Sequence, residues 1–195
     1  MDKGQGKEIF LRWINQATAS GQPADPMQYA DYTDKYEFFL DSAIKFLAKF
    51  RPVKAQVTIS DGDISVDTSV LGYTCITLPA DLSKINSVEN LGDSVQWRLQ
   101  GKNVIVISSL VVLPIDIFYD KKPTFIAPDS DISIEFELDE DVHILIPLKT
   151  AIMATKGDDP SLSDELQIEF NQLAASILND TPLYSNSIKS VYTMG

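Results

Sequence analysis

Two groups of carboxylates have the residue type and spacing that could do chemistry. Asp129 and Asp131 lie one residue apart, and Asp139, Glu140 and Asp141 are consecutive. Paired carboxylates can share acid and base roles or hold a hard cation. A calcium loop, however, has ordered ligand spacing with a central glycine and a closing glutamate, and neither group has it. Solvating a strand and capping a helix explain both more simply, so no metal ligand is expected. His143 is the only histidine, with no GxSxG elbow and no nearby cysteine nucleophile to form a triad. It reads as a surface residue at a helix start. Cys75, alone in TCITL, can form neither an internal disulfide nor a CxxC zinc knuckle, and reads as a buried thiol. Glycine-rich phosphate loops are absent. The expectation is no catalytic residue, no cofactor and no enzyme.

The chain that must position these groups has 195 residues, 44% hydrophobic and 23% charged, enough to bury a core. Its net charge of −12 argues against a nonspecific DNA-binding surface, which needs cations to displace counterions from phosphates. The acidity is uneven. Residues 1–54 carry 8 basic and 7 acidic side chains, and residues 120–181 carry 4 and 14. No apolar run at the N-terminus suits a signal peptide, and none elsewhere suits a membrane helix. A soluble, intracellularly made protein is expected.

Ile9, Phe10, Trp13, Ile14 and Ala17 predict an amphipathic helix over 7–19. A breaker-rich Gly21–Pro26 follows, then a helix over about 34–49 with an aromatic stripe closed by Pro52. From Val53 the period becomes two. The runs 56–60 and 63–67 flank Asp61-Gly62, a strong hairpin signal. Strands follow at about 74–78, 84–89, 94–99, 103–107 and 111–119, the last interrupted by Pro114, which suggests an edge or a bulge. Ile132, Ile134, Phe136 and Leu138 alternate with polar residues and predict one more strand with a negative face. An apolar helix over 143–156 has Asp139, Glu140 and Asp141 before it and Pro147 in its first turn. A last helix starts at the capping run Asp158-Asp159-Pro160-Ser161.

This order predicts an α+β fold: a helical bundle from 1–52 and 139–180, an antiparallel β domain (sandwich or barrel-like) inserted as 53–138, and a tail, 181–195. The segment 116–134 then reads as a corridor from the sheet back to the bundle. In the tail, Tyr184, Ile188, Val191 and Tyr192 fall at i, i+4, i+7 and i+8. A helix that short is marginal alone in water, so its apolar face needs a surface. Two surfaces are open: its own bundle, or a partner's groove.

The two N-terminal helices, Leu78-Pro79-Ala80-Asp81-Leu82-Ser83-Lys84-Ile85 with Val88, Phe118-Tyr119-Asp120-Lys121-Lys122-Pro123, and Asp129 and Asp131 ahead of a helix with Ala151 and Ala154 carry a likeness. So do Leu173 and Ala174 in the last helix. In these features the chain resembles the head-to-tail adaptor (connector, tail-tubular-type) proteins of tailed bacteriophages. The resemblance implies a virion structural protein at the neck, assembled in the host cytoplasm. It implies a dodecameric ring of this chain, docked on the portal protein and receiving the tail or a next neck ring. DNA would pass through without sequence-specific binding, and no membrane would be involved. The tail, through Tyr184, Ile188, Val191 and Tyr192, would reach the portal. Glu135, Glu137, Asp139, Glu140 and Asp141 would line the channel, where like charge keeps DNA from adhering, or lie on the outer surface. The alternative is a β-sandwich binding module for a protein or carbohydrate, supported by Trp97 and Tyr73. A metal-dependent hydrolase built on Asp129, Asp131 or the 139–141 carboxylates is a third reading.

Overall fold

The computed structural model describes residues 1–17, 26–63, 65–67 and 72–180. The fold is α+β, with four helices and two antiparallel sheets that do not close into a barrel. The first helix, α1, runs Lys3–Ala17 and starts four residues before the expected start at residue 7. Its start is a capping box: Gln5 N–H donates to Asp2 Oδ1 at 2.8 Å, and Asp2 N–H donates to Gln5 Oε1 at 3.2 Å. Gly6 is required by the packing. A Cβ there would sit 2.8 Å from Tyr36 Oη and 3.0 Å from the Phe136 ring, so α1 approaches its neighbours only because that position is bare. The second helix, α2, runs Pro26–Leu47, extending well N-terminal to the expected start, with proline in the first position where its missing N–H costs nothing.

The strands form two four-stranded sheets. One has the order β1 (Val53–Ile59), β8 (Ile115–Lys121), β4 (Leu82–Asn90), β5 (Asp93–Ser94). The other has the order β2 (Val66–Asp67), β3 (Tyr73–Thr77), β7 (Val104–Ser108), β6 (Trp97–Gln100). Ile59, Val88, Ile115 and Ile117 of the first sheet share a buried cluster with Ile76, Ile105 and Ile107 of the second.

Three strand expectations are corrected. Asp61-Gly62 does turn the chain, with Gly62 at φ +82 and Asp63 N–H bonded to Ser60 O, but it makes no hairpin. A second turn, Val66 N–H to Asp63 O, follows at once and carries the chain to the other sheet. There β2 pairs with β3, while β1 pairs along its whole length with β8. Pro114 lies just before β8 rather than inside it, after a cis Leu113–Pro114 bond, and β8 is central rather than an edge. No strand forms over 132–138. The backbone there serves α1: Lys3 N–H donates to Ile134 O and Gly4 N–H to Ile132 O, each at 2.8 Å. The first N–H groups of a helix have no partner within it, and this segment supplies them.

After a 3-10 turn at Glu140–Val142, α3 (Leu145–Thr155) runs through the middle of the helical cluster, buried on nearly all sides and packed on the other three helices. Its Pro147 lies in the first turn as expected. The last helix, α4 (Pro160–Asp180), is capped by Asp159 Oδ1, which accepts from Leu162 N–H at 3.0 Å. All four helices contribute to one apolar cluster, joined by Ile126, Phe136 and Leu138 of the returning segment. No helix among the described residues is long and apolar enough to cross a membrane.

Candidate functional site

The carboxylates singled out by spacing are dispersed by the fold. Asp131 Oδ1 accepts from Ser133 N–H and Oγ–H, both at 2.8 Å, which folds a tight turn and holds its carboxyl below the usual range. Asp129 is exposed beside it. Glu137 is a staple: Lys121 Nζ and Thr124 Oγ1 both donate to Oε1, and Thr124 N–H donates to Oε2, all at 2.8 Å. Burial works against its charge, but these bonds outweigh burial and hold the carboxyl low. Asp141 pairs with Arg51 at 3.3 Å. Glu135, Asp139 and Glu140 are exposed. The expected acidic surface is therefore partly neutralised by cations at two of its five positions. No group of three or more potential ligands is placed to hold a metal among the described residues.

His143 is a correction, since it is buried rather than on the surface. Its Nε2 lies 2.6 Å from Leu138 O. A carbonyl only accepts, so Nε2 carries the proton and Nδ1 is the acceptor, 3.0 Å from the amino group of Met1. The imidazole thus ties the entry of α3 to the start of the chain. Cys75 is half-buried on β3.

Lys3 was not singled out by any pattern, yet it is 1% exposed. Its ammonium donates to Ala127 O, Pro128 O and Ser130 O at 3.3, 2.8 and 3.1 Å, and lies 2.7 Å from Glu37 Oε2. Tyr36 Oη, kept protonated by burial, donates to Lys3 O at 2.9 Å. The 127–130 turn that carries Asp129 is therefore clamped onto α1 and α2. This is architecture, and it accounts for the 127–130 part of the 116–134 segment.

Two surface features gather residues that sequence spacing kept apart. The first is an open cleft of about 760 Å³ where the end of α2 meets β1, β4 and β8. Lys45, Lys49, Lys54, Lys84, Lys121 and Lys122 line it, with Asp120 as the single carboxylate. Asp120 is nearly buried, and both Lys54 Nζ and Asn86 Nδ2 donate to its Oδ1 at 2.6 Å. Burial raises its pKa, but those two bonds and Lys84 prevail and keep it below the usual range. Three of the six lysines are committed: Lys45 to Asp41, Lys54 to Asp120 and Lys121 to Glu137. Lys49, Lys84 and Lys122 are exposed. Only the Lys121-Lys122 pair is adjacent in sequence, so no local signal marks the site.

The second is an apolar groove of about 290 Å³ lined by Phe46, Phe50, Leu145, Phe170, Ala174 and Ile177 among others. Lys149 lies in it with its ammonium 4.4 Å from the Phe46 ring centre and 5.2 Å from that of Phe170. Burial, aided by Lys156, lowers its pKa. Tyr184, Ile188, Val191 and Tyr192 lie outside the described residues. Trp97 pairs with Ile107 and Tyr73 with Ser108, so the two exposed aromatics point to opposite faces and form no shared platform. Compared with models of known protein families and with curated proteins, the chain matches none.

Proposed function

We propose that this chain is a structural, non-enzymatic virion protein: a head-to-tail adaptor that forms a ring beneath a phage portal, extends the DNA channel and presents a surface to the tail. The ring is dodecameric, with the helices as a bundle at its wall, the sheets as an inserted domain and segment 181–195 as the portal-docking tail. The observation that supports this reading is the shared apolar cluster of helices from both ends of the chain, distinct from the cluster between the sheets. An adaptor needs a stiff ring-forming part and a separate projecting part, and two cores in one short chain suit that need. The exposed Glu135, Asp139 and Glu140 suit a wall that DNA slides past.

The test is native mass of the purified protein, alone and mixed with the portal ring from the same genome. Addition to the portal in a ring-like multiple is expected. Deleting 181–195 should leave a folded subunit that no longer joins the portal, and normal joining by the truncated subunit removes the role given to the tail. A protein that ignores the portal shifts weight to the binding-module reading, which a glycan array then addresses.

A further inference from the structure

The lysine cleft is out of keeping with the rest of the molecule. Six of the thirteen lysines of a −12 chain line one cleft, where one carboxylate stands among them. Even with Asp120, Asp41 and Glu137 paired to three of them, Lys49, Lys84 and Lys122 keep the cleft positive. At the other end of α2 the sign reverses. Asp31, Asp158 and Asp159 all lie close enough to raise the Tyr32 phenol's pKa alongside burial, the main cause, and Lys35, bonded to both Asp31 and Asp158, is the cation among them. Asp34, one helical turn from Asp31, is exposed on the same face of α2.

Asp31 and Lys45 are separated by fourteen residues of α2, about 20 Å at the helical rise. That is about two and a half times the screening length at physiological salt, so the two patches do not neutralise one another within a copy. We propose that the lysine cleft is a docking site for the acidic end of α2 and the α3–α4 turn of a second copy of this chain. Two bodies of charge −12 repel, and electrostatic attraction between them requires a place where one copy presents the opposite sign. The cleft is such a place. Two different patches meeting make a heterologous contact, which closes into a ring when the rotation allows. The inference rests on the ring reading for that closure and identifies the residues that would form its contact.

The experiment is sedimentation equilibrium of the full chain and charge-reversed variants, with folding of each checked by circular dichroism. One variant carries Lys49→Glu, Lys84→Glu and Lys122→Glu, and the other carries Asp31→Lys and Asp34→Lys. The unaltered chain should self-associate and do so roughly tenfold more weakly when salt rises from about 0.05 to 0.5 M. Each variant alone should be monomeric, and a one-to-one mixture of the two should associate again, since each then supplies the sign the other lacks. A chain that stays monomeric at low salt overturns the proposal, as does association that survives the lysine reversal. Binding of a short DNA duplex through the cleft by a monomeric chain overturns it too and makes the cleft a phosphate site. Self-association through the cleft without portal binding keeps this contact and removes the adaptor reading. Ring addition to the portal by the lysine-reversed variant does the opposite.

Discussion

At the residue scale, the most consequential side chain in the connecting region is one that composition would place on the surface. Lys3 is buried because four acceptors surround its ammonium: three carbonyls of the 127–130 turn and the Glu37 carboxylate. Removing one member of a buried charged group strands the others, which costs far more than the pair contributes over an apolar replacement. Lys3→Met should therefore lower stability by about 3 kcal/mol, measured by urea denaturation. The double change Lys3→Met with Glu37→Met should recover part of that loss, because the carboxylate left with only Lys7, 3.3 Å away, goes too. Limited proteolysis should find the 127–131 turn newly cleavable in the single variant. An unchanged denaturation midpoint for Lys3→Met would show that water satisfies the turn's carbonyls equally well. Nothing local in the sequence announced this, since the three carbonyls lie more than a hundred residues from the lysine.

At the element scale, the helices were more legible than the strand pairings. The burial of Phe10, Ile14, Tyr36, Leu40, Leu162, Leu166 and Phe170 follows from their helical spacing, because a helix has one face to bury and its period is local. The early start of α1 was legible in principle from Asp2 and Gln5, but Gly4 and Gly6 weaken helix propensity there. Pairing was illegible at Asp61-Gly62 because a turn residue fixes the direction of the chain and not its partner. The alternation at 132–138 misled for a related reason. Phe136 and Leu138 are buried as a strand would require, but against helices, and the backbone partners are the first N–H groups of α1 and the Met1 carbonyl. The turn between β4 and β5 does form a hairpin, through Leu91 at φ +50 and Gly92 at φ +88. Leucine tolerates the left-handed region poorly, asparagine takes it readily, and the Leu91 side chain is 90% exposed with no packing to lose. Leu91→Asn should raise stability by about 1 kcal/mol, read as a higher thermal midpoint. A lower midpoint would mean that Leu91 is covered by something in solution, which would make that hairpin a contact surface.

At the scale of the whole molecule, two apolar clusters are joined by a few polar staples at the corner where β8 leaves the sheet. Asp120 holds β1 to β4 across β8 through Lys54 and Asn86, and Glu137 ties Lys121 and Thr124 to the segment returning toward the helices. The lysine cleft is built on this corner, so its shape depends on these two carboxylates keeping their charge. The sequence displayed Asp120, Lys121 and Pro123 together but not the lysines from α2, β1 and β4 that meet them, because that meeting is created by the fold. Both carboxyls ionise at lower pH in the folded protein than in the unfolded chain. Their contribution is therefore complete above the ordinary carboxylate range of about 4 to 4.5 and is lost as pH falls through the lower folded values. Stability of the unaltered chain should fall on acidification below about pH 4.5, and the double variant Asp120→Asn with Glu137→Gln should lose stability at pH 7 but show a shallower decline below that point. Urea denaturation at stepped pH measures both slopes. Parallel slopes would show that other carboxylates govern acid unfolding and that the corner holds without its charges. In that case the cleft would keep its shape at low pH, and its attraction for an acidic surface would fade only as that surface itself became protonated.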